Sequence, residues 1–321
     1  HVRTPKTRYS LLQSIWRSFD MGKFGVKDEL DVYHGLSMEI PYDFRRFGSK
    51  VVVTVHDLIF LKYPQFYKPL DRIIYFNKLK YAVEKSDTII AISQQTKHDL
   101  IDQFGEQLHN KIRVVYQSCN EVYYDTRTTS ELEKVRSRAM LPERFMLCVG
   151  ALNENKNLLT VLKAMHILGA NRCLDLVVVG KGKSYRTKME RYAESEGISN
   201  RLHFVNDHFD PTPIELSCLY QLADVFIFPS FYEGFGIPIL EARFSGTQVM
   251  ASNSTCLDEA GGPDTKYFDP KDAEQLAVLI EEFLTTGEQN QVAPDAFRLE
   301  NVTLDLIHAY ESTLHLSLIH I

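Results

Sequence analysis

Cysteine is scarce in this chain. Cys119, Cys148, Cys173, Cys218 and Cys256 are scattered, odd in number and form no C-x-x-C pair. That pattern excludes a disulfide framework and a cysteine-based zinc site, and predicts a reducing, cytosolic setting. No run approaches the ~18 apolar residues of a membrane span, and the opening HVRTPKTRYS has no apolar signal core. Basic stretches interleaved with aromatics are missing, which speaks against nucleic acid as a partner. H-E-x-x-H, G-x-S-x-G and the Walker lysine loop are missing too, removing three common catalytic chemistries. There is no D-x-D, so a nucleotide diphosphate would have to be met by backbone N–H groups and lysine, and no metal is expected.

What is present describes a globular α/β chain. A length of 321 residues is more than one core usually serves, so two domains are expected. Charge is uneven: residues 1–150 hold 23 Lys and Arg against 18 Asp and Glu, residues 151–321 hold 13 against 24. Ordinary surface charge accounts for this; the sharper alternative is a first half that faces an anionic lipid or membrane surface, a peripheral contact. Short β-branched runs alternate with helix-period segments, the pattern of parallel sheets covered on both faces. Strands are expected at 51–55, 88–92, 112–116, 145–149, 174–179, 202–205, 225–228 and 248–251. Leu158, Val161, Leu162 and Met165 mark a buried helical stripe stopped by Gly169. A polar segment from Cys119 to Thr129, followed by a charged helix over 130–138, reads as an interdomain connection. The expected division is therefore 1–142, 143–300 and a closing 301–321.

Polar and glycine residues gather just after the strands, where open parallel sheets bind ligands. His56 follows the first, Gly150 the fourth, Gly180-Lys181-Gly182 the fifth. The Gly-Lys-Gly turn is a weak phosphate-loop signal, since a tight turn alone explains it. Lys156 lies in the loop from Gly150 to Asn157, beside a helix that Asn157 is expected to cap. PSFYEGFGIPILEARFSG (229–246) is more informative. Pro238 and Gly246 bracket a helix over about 238–245, and Gly234 and Gly236 place bare backbone at its start, where N–H groups and the helix dipole favour an anion. Glu233 and Glu241 flank that turn, separated by roughly 12 Å at ~1.5 Å per residue. A ligand with phosphates between two hydroxyl-bearing ends suits this spacing; a capping acid plus a surface acid is the plainer account.

Glu233-x7-Glu241 within PSFYEGFGIPILEA, followed by SGTQVMASNSTCLDEAGG, resembles the signature of the retaining glycosyltransferases of family 4, which have the GT-B fold. DVYHGLSMEIP (31–41), VVVTVHDLIFLKYP (51–64), AISQQTKHDL (91–100), VVYQSC (114–119) and VGALNENKNL (149–158) resemble members that act as mannosyltransferases in bacterial polysaccharide assembly. The resemblance spans about residues 30–310. It implies two Rossmann-like parallel-sheet domains facing a cleft, an acceptor-side first domain and a donor-binding second domain. Glu241 would bind the donor ribose, and Glu233 with the Gly234-Phe235-Gly236 backbone the hexose. Ile237 N–H and Lys156 would meet the diphosphate, with Gly150 and Asn206, the latter standing where the family often has glycine, lining the pocket. His56 would lie near the sugar and His34 on the acceptor side. Ala151 and Asn155 stand where family members often carry a basic residue. The first domain is expected to lack opening strand-helix units and a glycine-rich loop, and the closing LHLSLIHI is unlike the family's last helix.

The resemblance further implies a metal-independent, cytoplasmic enzyme that retains anomeric configuration. It would move a hexose, mannose from GDP-mannose, onto a glycan or lipid-linked saccharide. The same fold also serves sugar phosphorylases and nucleotide-sugar epimerases, and a non-catalytic nucleotide-sugar-binding protein is a further alternative.

Overall fold

The structure, a computed structural model, describes residues 9–19, 21, 28–43, 48–169, 174–287 and 295–315. Cys173, the HVRTPKTR opening and the last six residues of the tail lie outside them. The chain divides into two compact units, residues 1–116 with 303–321, and residues 117–302.

The first unit holds a parallel sheet in the order β1-β2-β3-β4: Val32–Gly35, Lys50–Val55, Thr88–Ala91 and Ile112–Val114. Val51, Val53, Val55, Ile89 and Ile112 pack on one face with Leu79, Val83 and Leu100 from the flanking helices, and Val52 and Ile90, which point to the other face, are buried as well. β1 is not apparent in the sequence because VYHG is short and half polar, and only pairing with β2 makes it a strand. Helix Leu299–His315 begins in the second unit and ends in the first, where Thr313 Oγ1 donates to Thr88 Oγ1 at 2.8 Å in a buried position.

The second unit is a six-stranded parallel sheet in the order β10-β9-β8-β5-β6-β7. Its strands are β5 Phe145–Val149, β6 Asp175–Val179, β7 Leu202–Phe204, β8 Val225–Phe228, β9 Gln248–Ser252 and β10 Lys266–Phe268. β10, three residues long, escapes a reading by hydrophobic run. The chain winds outward from β5 through β6 to β7, then returns beside β5 at β8 and winds the other way. This is the doubly wound Rossmann order, and its crevice opens at the carboxyl ends of β5 and β8. Helix Leu159–Leu168 packs Val161, Leu162 and Met165 on the sheet, and Gly169 ends it at φ 71°.

The unit boundary falls at 116/117, not at 142/143. The segment expected to be a connector folds into the second unit: Ser217 Oγ donates to Val122 O at 3.3 Å, Gln221 Nε2 to Asp125 O at 2.8 Å, and Arg127 N–H to Gln221 Oε1 at 2.8 Å. A short 3-10 turn, Glu121–Tyr124, buries Tyr123 there. So brief an element has no periodicity to betray it. Likewise the closing segment expected at 301–321 is not separate: its described residues from 303 to 315 belong to the first unit.

Candidate functional site

The loops after β5 and β8 flank the switch point of the second unit. After β5, Gly150 N–H donates to Val179 O at 2.9 Å, and the chain turns through a 3-10 segment, Glu154–Lys156, capped by the Asn153 side chain. Asn155 is buried and donates through Nδ2 to Tyr232 O at 2.8 Å, while Phe231 N–H donates to Asn155 O at 2.9 Å. The two loops are thereby clasped, and an amide serves where a basic side chain would have had to be desolvated. Asn157 does not cap the following helix. It takes a left-handed conformation at φ 54°, and its Nδ2 donates to Pro229 O and Pro270 O at 3.0 and 2.7 Å. Leu158 occupies the N-cap position instead. Asn157 is thus a structural rivet between three loops.

This clasp brings Lys156 against Glu233. Nζ lies 2.6 Å from Glu233 Oε1, and both side chains are largely shielded, at 19% and 16% exposure. The ammonium also lies 5.1 Å from the Phe228 ring centroid, where the face of the ring adds to its attraction. Glu233 is held from behind by Cys256, whose thiol donates to the Glu233 carbonyl at 3.1 Å. Burial pushes that thiol well above its ordinary range, so it is an uncharged packing group.

Beyond Glu233 the chain bends through Gly234 and Phe235. The Phe235 ring is buried and meets Phe297 edge-on at 5.5 Å, leaving only its backbone for a ligand. Gly236 stands at φ 109°, and a Cβ there would approach Leu257 Cδ2 to 3.0 Å, so glycine is required. It is the N-cap of helix Ile237–Phe244, which starts one residue earlier than the proline suggests. No side chain caps this helix; Pro238 has no N–H and the Ile239 N–H donates to Gly236 O at 2.9 Å, so the Ile237 N–H and the helix dipole are what its start offers to the loop.

Glu241 lies one turn into that helix and is half-buried. Its Oε2 accepts from the Tyr220 hydroxyl at 2.8 Å, and the Tyr123 hydroxyl also bonds the carboxylate. Burial raises the Glu241 pKa, and the two tyrosines partly offset this. The same surroundings push the Cys119 thiol up to about 12, burial first and Glu241 second. The two tyrosines meet edge-on at 5.8 Å. Neither was singled out in the sequence: Tyr123 lies in the supposed connector and Tyr220 in an unremarked helix, so no local signal marks them.

Asn206 follows β7. Its Oδ1 accepts from Gly180 N–H at 2.7 Å and its Nδ2 donates to Asp210 at 2.9 Å. Its amide therefore props the loop after β6. Gly180 itself would drive a Cβ to 1.8 Å from Gly150 O, so the Gly-Lys-Gly turn serves close backbone approach. In the first unit, His34 has both ring nitrogens engaged, Nδ1 with Tyr310 OH and Nε2 with Thr54 Oγ1, each at 2.7 Å. Burial, then the charge of His56, lowers its pKa. The His56 ring donates from Nε2 to Leu36 O at 2.8 Å.

Among the described residues no helix is long and apolar enough to cross a membrane. Residues 130–296 match the family model described as Glycosyl transferases group 1, and residues 2–120 match Glycosyltransferase Family 4. The chain is similar to the O-antigen chain mannosyltransferase B of Escherichia coli, 27% identical over 304 residues, covering 90% of this chain and 76% of that one. It is also similar to the serotype-specific mannosyltransferase WbdA of Escherichia coli, 30% identical over 243 residues. That match covers 74% of this chain but only 29% of WbdA. Among solved structures, the Anabaena protein HepE in complex with UDP and glucose shares the fold at a TM-score of 0.74. The two are 16% identical, with 96% of this chain and 84% of that one covered.

Proposed function

Since the chain belongs to the glycosyl transferases group 1 family and has the GT-B fold, we propose that it transfers mannose from GDP-mannose to a saccharide acceptor with retention of configuration and without a metal. The observation that carries this reading is the second unit's switch-point crevice. It assembles Lys156, Glu233, the uncapped start of helix 237–244 and the tyrosine-held Glu241 from loops far apart in sequence. Lys156 and the Ile237 N–H meet the donor diphosphate, Glu241 accepts from the ribose hydroxyls, and Glu233 accepts from the hexose hydroxyls while the N–H groups of 234–236 donate to them. The mannose choice rests on the names of the similar proteins, and so does an acceptor in cell-surface polysaccharide assembly.

In the transfer, the bond from the sugar's anomeric carbon to the diphosphate oxygen breaks as the acceptor hydroxyl bonds that carbon on the same face. The acceptor proton passes to the departing diphosphate oxygen. Stabilising that leaving group falls to Lys156 and the helix start, while positioning supplies much of the remainder. A thermal-shift panel of GDP, UDP and ADP tests the donor: the nucleotide bound at 100 times its dissociation constant adds ~2.7 kcal/mol. Stabilisation by UDP or ADP but not GDP would overturn the donor assignment, and transfer assays with GDP-mannose then test the reaction.

A further inference from the structure

Two anions draw on Lys156. The loops that flank the switch point, 150–157, 229–236 and 253–256, carry no other cation, so a donor diphosphate and the Glu233 carboxylate must share one ammonium. Glu233 holds it in the structure. The Glu233 main chain is fixed from the loop after β9: its N–H donates to Thr255 Oγ1 at 3.4 Å, and its carbonyl accepts from the Cys256 thiol at 3.1 Å. Its carboxylate is 16% exposed, and among the described residues Lys156 Nζ, at 2.6 Å, is the one hydrogen-bond partner it has. Nζ of Lys156 in turn donates to no other described group. Removing one member of so shielded a pair leaves an uncompensated charge, which is far costlier than exchanging one partner for another. Lys156 therefore passes readily to a diphosphate only when something else satisfies Glu233, and the hydroxyls of a hexose can do so.

We propose that Glu233 and the diphosphate compete for Lys156, so that the ion pair is a latch sensitive to whether the nucleotide carries its sugar; this rests on the donor reading above. The intact nucleotide sugar opens the latch by satisfying both charges at once. After transfer the nucleoside diphosphate has no hydroxyls to offer Glu233, which retakes the ammonium and expels the product. Calorimetry on the whole chain with GDP and with GDP-mannose tests this, UDP or ADP and the matching nucleotide sugar taking their place should another base bind. Glu233→Gln keeps the shape and removes the charge that competes. It should bind GDP about tenfold tighter than the unaltered chain, while GDP-mannose tightens by no more than about twofold. Added to Lys156→Met, where there is no pair to break, the same change should tighten GDP by no more than about twofold. Simple relief of charge repulsion would tighten both ligands and persist without the lysine. An equal gain for GDP-mannose, an undiminished gain beside Lys156→Met, or GDP affinity not raised by Glu233→Gln overturns the inference. The comparison of GDP with GDP-mannose carries the test by itself should Lys156→Met fail to fold. Failure of all three nucleotides to bind the unaltered chain sinks the donor reading and the latch together, whereas nucleotide binding without these differences sinks the latch alone.

Discussion

At the scale of the residue, the two glutamates of the site have different surroundings and should fail differently. In the proposed donor complex Glu241 grips the ribose, which does not react, so Glu241→Ala should act mainly by raising donor KM. Glu233 is proposed to touch the sugar, whose charge changes in the reaction, so Glu233→Ala should act mainly by lowering kcat. Steady-state kinetics showing the reverse would refute this division. Burial holds the Glu241 pKa above the ordinary 4.5. The ribose needs the ionised acceptor, so donor affinity should be full at high pH and lost as pH falls through that raised value. The linkage to stability has the opposite sign. The folded state keeps the proton where the unfolded chain has released it, so Glu241's contribution is present at low pH and declines as pH rises through its folded pKa. Tyr220→Phe removes a hydrogen bond to a carboxylate, costing about 1.5–3 kcal/mol, and should move the inflection in donor KM to still higher pH. A pH profile unchanged by Tyr220→Phe would show that Tyr220 does not tune the acid.

The loops after β5, β6 and β8 behave as one interlocked element. Gly180→Ala would force the 150–157 loop away, because its Cβ would lie 1.8 Å from Gly150 O. Strained or overpacked substitutions of this kind cost about 1–3 kcal/mol, and since Lys156 rides on the displaced loop, donor KM should rise as Tm falls. Thr128→Ala makes the contrast. Thr128 forms a capping box with Glu131 at the start of helix Thr129–Arg138, and losing it should cost about 1 kcal/mol while donor KM stays put. Thermal melts paired with donor kinetics separate the two, and equal kinetic effects would mean that the loop clasp has no special bearing on the site.

At the scale of the whole molecule, all the residues assigned to nucleotide binding belong to the contiguous unit 117–302, which has its own core. That unit produced alone should fold and bind GDP within about 1 kcal/mol of the full chain; a folded fragment that does not bind nucleotide would place essential donor contacts elsewhere. Transfer by the full chain should persist in excess EDTA to within about twofold, a difference well below one kcal/mol. Abolition by EDTA with rescue by Mg²⁺ or Mn²⁺ would reveal a metal requirement.

The sequence by itself determined the longer elements and their character. Runs such as Phe145–Val149 and Val225–Phe228 are strands because β-branched and aromatic residues covered on both faces leave no other economical placement for their backbone groups. The proline and glycines of 234–246 likewise announce a turn and a helix start through constraints on single residues. The tertiary structure decided which loops meet. Nothing local in the chain says that β8 returns beside β5, yet that order alone brings Lys156 to Glu233 across 77 residues and Tyr123 and Tyr220 onto Glu241. It also turned Asn157 from an expected cap into a rivet and Asn206 into a prop. Periodicity reports burial along one element. Partners for buried polar groups are found only when elements pack, so the identity of those partners belongs to the fold.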